Sequence, residues 1–329
     1  MHHNMILKCL IFVIIVLFIG TIFTDSTMGF SIDKPQTFTY QGITLYVGGG
    51  GPDNYTSIQD AINDTVDGDT VFVYDDSSPY YENLIVTKGI FLIGENMDTT
   101  IIDGSGDSNV IYIDADNVYV SGFTIQNGGL EFPYGGINIR SNYSTISDNN
   151  LENNFYGIDM YYSENNHIVN NNIANNNQCG IYLEGSSNNN ISENLIDIQP
   201  YNGIGFYNSS NNNNIFKNTI LNNGFSGVRT TGCCGNNIFS NMISKNLVGV
   251  RIEYSSNTNI LKNNLMENKF KEAHFLGDIL SIYTNIWDGN YWSRPRVLPK
   301  PILGRSGIIL MMLPWINFDW HPAIEAYEI

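Results

Sequence analysis

Charge is scarce in this sequence, and positive charge is scarcer still: Asp, Glu, Lys and Arg make up 14% of 329 residues, with 15 Lys and Arg against 32 Asp and Glu. A formal net charge of -17 argues against nucleic acid or an anionic membrane surface as a partner. The low charge does not signal disorder. Apolar residues reach 42%, and Asn, Ser, Thr and Tyr supply the polar surface that Lys and Glu normally provide. Cysteine is rare too. Once Cys9 is set aside with the first segment, Cys179, Cys233 and Cys234 remain, an odd number without metal-ligand spacing, which argues against a zinc site. The adjacent Cys233 and Cys234 fit turn packing better than a strained vicinal disulfide. After the first segment no apolar run is long enough to cross a bilayer, because residues 308–313 are few and end at Pro314.

Residues 1–29 read as an export signal or an anchor. Lys8 stands in a short polar start, residues 9–23 are apolar, and Thr27, Met28 and Gly29 offer a small-residue cleavage site. Residues 30–276 are expected to form one body and 277–329 a closing tail. The protein is therefore expected to be secreted or held at the cell surface, meeting a membrane only through the first segment if that is retained.

The strongest signal is self-similarity. Gly-apolar-x-apolar segments start at Gly136, Gly157, Gly180, Gly203, Gly227 and Gly249, a spacing of roughly 22 residues. A second alternating segment lies within each interval, with Ile146, Ile168, Ile191, Ile215, Ile238 and Ile260, each followed three residues later by an Asn. Such short alternating segments are strands, which become stable only by stacking coil on coil. The fold class is therefore all-β, a right-handed parallel β-helix. Its inward columns are Ile137, Ile158, Ile181, Ile204, Val228, Val250 and, two residues on, Ile139, Met160, Leu183, Phe206, Thr230, Ile252. The Asn row reads as a structural ladder at a turn. Thr56 to Gln59 have helix-start spacing, and Ile58, Ala61 and Ile62 make one apolar helical face, so a short helix is expected to cap the N-terminal end. The aromatic tail with Trp287, Trp292, Trp315 and Trp320 is expected to be an irregular cap at the other end.

These segments resemble the right-handed β-helix repeat proteins of the pectin-lyase-like superfamily, and in particular NosD-like secreted proteins of archaea. "YTSIQDAINDTVDGDTVFVY", "TTIIDGSG" and "NVYVSGFTIQNG" are similar to the opening coils of such proteins, "NNHIVNNNIANNNQCGIYL" to their repeat and "NIWDGNYW" to their closing segment. The resemblance implies the fold strongly and function weakly, since this fold hosts lyases, hydrolases, epimerases and adhesins. It also implies copper handling. Against that stand His167, His274 and His321, far apart in sequence, and the lack of any Met-x-Met or His-x-His pair.

Alternation places two outward rows on one sheet. Tyr161, Tyr182 and Tyr207 are expected to form an aromatic strip beside Asp159, Glu184 and Glu253, with Arg229 and Arg251 adjacent. That set suits a polysaccharide or cell-envelope glycan, with aromatic faces against sugar rings and guanidinium groups against a uronate. Catalytic residues cannot be assigned. Asp159 and Glu184, about 8 Å apart by strand geometry, suit an inverting glycosidase, and Asp319, Trp320 and His321 form a second trio. No metal ligands or cofactor are assigned, with calcium the one ion left open. Glycan binding or a structural part in the cell envelope, without turnover, is the favoured reading; a polysaccharide lyase or epimerase on the same face is one alternative, and the copper handling that the resemblance implies is another.

Overall fold

The structure, a computed structural model, describes residues 42–278, 284–307 and 313–329; the export segment, Cys9 and most of the apolar stretch 308–313 lie outside the described residues. Among those described, three stacked sheets of 11, 10 and 11 strands run the length of a parallel β-helix. Each coil visits the three sheets in turn. The first sheet runs from Thr44–Val47 to Ile286–Asp288, the second from Tyr80–Tyr81 to Tyr291–Trp292, and the third from Leu84–Val86 to Leu313–Asp319.

The expected inward columns are in register. Ile137, Ile158, Ile181, Ile204, Val228 and Val250 pair successively on the third sheet, as do their neighbours from Ile139 to Ile252. All are within 1% of full burial. The repeating glycine has a steric cause. A Cβ on Gly157, Gly180, Gly203 or Gly227 would fall 2.5 or 2.6 Å from the Cγ2 of Ile173, Ile196, Ile220 or Ile243 on the second sheet, so a side chain there would force the sheets apart.

Thr230 interrupts the apolar column between Phe206 and Ile252, and its buried hydroxyl has no hydrogen-bond partner. Thr230→Val keeps the shape and removes that orphan. We expect it to stabilise the protein by about 1 kcal/mol, read as a higher denaturant midpoint with unchanged slope.

The Asn row is a ladder through the corner between the first and second sheets. Asn149, Asn171, Asn194, Asn218, Asn241, Asn263 and Asn290 each pass a side-chain N–H to the next oxygen, ending on the Asp319 carboxylate. Two further ladders occupy the other corners. One links Asn154 to Asn176 and then, through Gln199, reaches Asn223, Asn246 and Asn268; the other links Asn166, Asn189, Asn213 and Asn236. Each ladder amide follows a left-handed residue, for example Asp148, Asn153 and Asn165 with φ of 55°, 57° and 59°. The bend turns the chain, and the amide satisfies backbone groups that the bend leaves unpaired.

At the N-terminal end the expected helix, α1 (Ile58–Asp64), buries Ile58, Ala61 and Ile62. Ser57 Oγ accepts from the Asp60 N–H, and the Glu82 carboxylate, 24 residues from Ile58, accepts from the N–H groups of Ile58 and Gln59. At the other end the coils continue past Leu276, the last residue where the sequence pattern is visible, through Ile286–Asp288 and Tyr291–Trp292. Trp287 and Trp292 replace isoleucine and leucine in the stack, which hid the repeat. Two seven-residue strands, Lys300–Ser306 and Leu313–Asp319, then close the third sheet as an antiparallel hairpin. The cap is thus more regular than expected. Cys179, Cys233 and Cys234 are all free thiols, and the Cys233 N–H donates to Ser255 Oγ in the serine row of its corner.

Candidate functional site

The outer face of the third sheet carries the predicted residues in the predicted register. Asp159 pairs with Tyr182, Tyr161 with Glu184 and Glu184 with Tyr207, while Arg229 pairs with Arg251 and Thr231 with Glu253. Depth divides them. Tyr182, Glu184, Tyr207, Arg229 and Arg251 are partly exposed, whereas Asp159, Tyr161 and Glu253 are 0%, 6% and 4% exposed. These three are corrections to the expected surface.

Asp159 is covered from the preceding coil: a Cβ on Gly135 would meet its carboxyl, and just before that strand Phe132 packs edge-on against the neighbouring Tyr161, ring centroids 6.5 Å apart. Asn138 donates to Asp159 Oδ2, and Oδ1 has no partner. Burial drives this carboxyl well above the ordinary range, with Arg140 and Asn138 offsetting it only in part. The Glu184 carboxylate instead accepts from Tyr182 Oη and Asn208 Nδ2, both at 2.8 Å. The two carboxyls therefore do not face a common substrate as an acid and base pair.

Glu253 is buried beneath two arginines. Arg229 Nε and Nη2 donate to its Oε2 at 2.9 and 2.6 Å, and Arg251 Nε donates to Oε1 at 2.7 Å. Burial alone would raise the Glu253 pKa, but the guanidinium groups overrule it and the pKa is lowered. Arg229 Nη1 also donates to Tyr201 Oη at 2.8 Å, and Arg251 lies 4.9 Å from the Phe225 ring centre. His274, next to Arg251 on the following strand, is pushed down to about 4 by burial and by Lys271 and Arg251, so it is neutral at pH 7.

The aromatic strip differs from the expected one by a member. Tyr156, Tyr182 and Tyr207 stack with centroids 4.6 and 5.0 Å apart, and Tyr161 only tilts against Tyr182 at 5.8 Å. Tyr201 and Phe225 form a second stack at 5.0 Å. Tyr156, Tyr201 and Phe225 were missed because each stands just before the glycine that marks the repeat. The recurrence of large residues there (Phe155, Tyr201, Phe225, Leu247) was the available signal. The tail trio does not converge: Asp319 accepts from Trp292 Nε1, while His321 Nδ1 turns outward to Asp288.

Fold and face together define a parallel β-helix that carries a strip of stacked aromatic rings and paired arginines on one sheet. The chain belongs to the family described as periplasmic copper-binding protein (NosD), which matches residues 62–297. No curated protein is matched by the chain. Similar solved structures include XylC in complex with xylose, 11% identical with a TM-score of 0.59 over 84% of this chain and 73% of that one. The enzymatically active domain of tailspike protein 2 from bacteriophage CBA120 is 12% identical, with a TM-score of 0.54 over 79% of this chain and 41% of that one. The periplasmic alginate epimerase AlgG is 15% identical, with a TM-score of 0.48 over 68% and 67% of the two chains. At these identities the likeness concerns the fold alone.

The copper of the family description finds no matching donor cluster among the described residues. Among the described residues no three His, Cys, Asp or Glu side chains gather into a metal-binding cluster. His167 is on the first sheet, His274 on the third and His321 in the tail; Met160 is in the core. Burial raises the thiols of Cys179 and Cys233 to about 11, which opposes the thiolate a copper ion would need.

Proposed function

We propose that this chain is a secreted or surface-held β-helix, of the NosD-like type its motifs resemble, that grips an acidic polysaccharide along the outer face of its third sheet and retains it unchanged. The observation that carries this reading is the Arg229–Glu253–Arg251 cluster beside the stacked Tyr182 and Tyr207 rings. One carboxylate positions two guanidinium groups, so the cluster keeps one net positive charge in a chain of net charge -17. Each arginine has five N–H donors and spends only part of them on Glu253 and Tyr201. The remaining donors suit a uronate carboxylate, and the tyrosine faces suit the apolar faces of its sugar ring. The location outside the cytoplasm rests on the export reading of residues 1–29 together with the periplasmic description of the family.

The test is electrophoresis of the protein through gels containing a polyuronate or a neutral glucan, with and without calcium, followed by sizing of the recovered polymer. We expect the polyuronate to retard the wild type, retention at least about tenfold weaker in Tyr182→Ala/Arg251→Gln, and unchanged polymer length. Mobility unaffected by every polymer would sink the proposal. Shortened polymer would replace retention with turnover, the lyase reading.

A further inference from the structure

The acidic chain has one basic and apolar end. Residues 289–318 contain Arg294, Arg296, Lys300 and Arg305 and no Asp or Glu. Two parts of that stretch, residues 300–306 and 313–318, lie in the closing hairpin, and Arg294 and Arg296 stand just before it. Register pairs Leu303 with Ile316 and Pro301 with Phe318, so their side chains share one face, and the Phe318 ring lies 5.0 Å from that of Trp320. The opposite face supplies Ile302 and Trp315 to the core. Among the described residues the shared face has no such cover: Leu303, Ile316, Phe318 and Trp320 are 55%, 48%, 37% and 46% exposed, and Val297 and Leu298, just before the hairpin, are 83% and 74% exposed. Arg305, two residues on from Leu303, is exposed on the same face, and Arg294 is exposed ahead of the hairpin.

We infer that this hairpin docks the C-terminal end of the solenoid on a lipid bilayer bearing anionic headgroups, the apolar face entering the headgroup–acyl boundary while Arg294 and Arg305 meet phosphate. Aliphatic Leu, Ile and Val side chains suit acyl chains and offer little to a sugar, which separates this face from the aromatic strip. Charge selects the occupant. A second copy would bring the same arginines against themselves, whereas anionic headgroups complement them. The acidic remainder of the chain is repelled by the same headgroups, which restricts contact to this end. The composition argument against a membrane partner holds for the chain average and fails for this segment.

The test uses the full chain and vesicles of phosphatidylcholine with brominated acyl chains, with or without phosphatidylglycerol. Trp320 emission is taken as the difference between the wild type and Trp320→Phe, so attachment through the first residues does not enter the readout. We expect bilayer bromine to quench Trp320 only when phosphatidylglycerol is present, with at least about tenfold weaker binding in Leu303→Asp/Ile316→Asp. Arg294→Gln/Arg305→Gln, which leaves the apolar face intact, should lose the phosphatidylglycerol dependence. Unquenched Trp320, or quenching indifferent to both variants, would overturn the inference. A change in Trp320 emission that follows protein concentration without lipid, together with a doubled mass, would overturn it in favour of a second copy.

Discussion

At pH 7 the Asp159→Asn variant is expected to unfold at a higher denaturant concentration than the wild type, although it loses a charged residue from the middle of the candidate site. The carboxyl is fully buried, Asn138 donates to one oxygen, and the other oxygen has no partner. Its pKa in the fold is therefore raised, whereas in the unfolded chain it returns to about 3.9. A group with a raised folded pKa binds more protons folded than unfolded. Its contribution to stability is then fully present below the unfolded pKa and is lost as pH climbs toward the folded value. Across that window the wild type loses about 1.4 kcal/mol per pH unit, a slope that an amide cannot have. The two proteins should converge near pH 3.5 and separate as pH rises from there, with the variant the more stable at pH 7. Urea midpoints measured at several pH values check both ends. Parallel curves would mean that Asp159 is ionised in the fold. Polysaccharide retention should be unchanged in this variant, because the side chain is fully buried.

Asp159 also marks the limit of what the sequence could convey. Alternation on a strand determines which side a residue faces, and it placed Asp159, Tyr182, Arg229 and Arg251 on the outer face in the register observed. It carries no information about what crosses that face. The coil before Gly135 is irregular around Phe132, and the contact of Phe132 with Tyr161 follows from how that stretch folds back, which alternation does not record. Glu253 disappears beneath Arg229 and Arg251 for a related reason: long side chains reach sideways across the stack, and the 22-residue period does not record where their ends go. The core was legible because it obeys a local rule repeated in every coil. One asparagine ladder was legible for the same reason. The other two were hidden because Gln199 interrupts one and the other lies next to a variable corner.

Asn218→Leu is expected to be the most damaging single substitution of similar volume in the coils. Asn218 is fully buried at the centre of the longest ladder. Its Nδ2 donates to the Ile191 and Phe216 carbonyls at 2.8 and 3.1 Å and to Asn241 Oδ1 at 3.0 Å, while its Oδ1 accepts from Asn194 N and Nδ2, both at 3.0 Å. Leucine fills the space and makes none of these bonds. The Asn194 backbone N–H is left buried without its acceptor and the Ile191 carbonyl loses a donor, while Asn194 Nδ2 keeps the Ile168 and Ser192 carbonyls and the Phe216 carbonyl keeps the Glu193 N–H. At about 1–3 kcal/mol for each buried group left unpaired, the expected loss is about 3 kcal/mol. Asn237 provides the contrast. It joins a row of amides on the outside of the first sheet, donating to Asn214 and accepting from Asn259, and it is only partly buried, so water can replace what it gives up. Asn237→Ala should cost less than about 1 kcal/mol. Denaturation midpoints of the two variants, compared with the wild type under one set of conditions, separate these cases. Equal small losses would mean that the buried ladder follows from the stacking of the coils and does not hold them together. A large loss confined to Asn218→Leu would identify the corner amides as the polar counterpart of the isoleucine columns, since both sets of contacts run unbroken from coil to coil and each coil leans only on its neighbours.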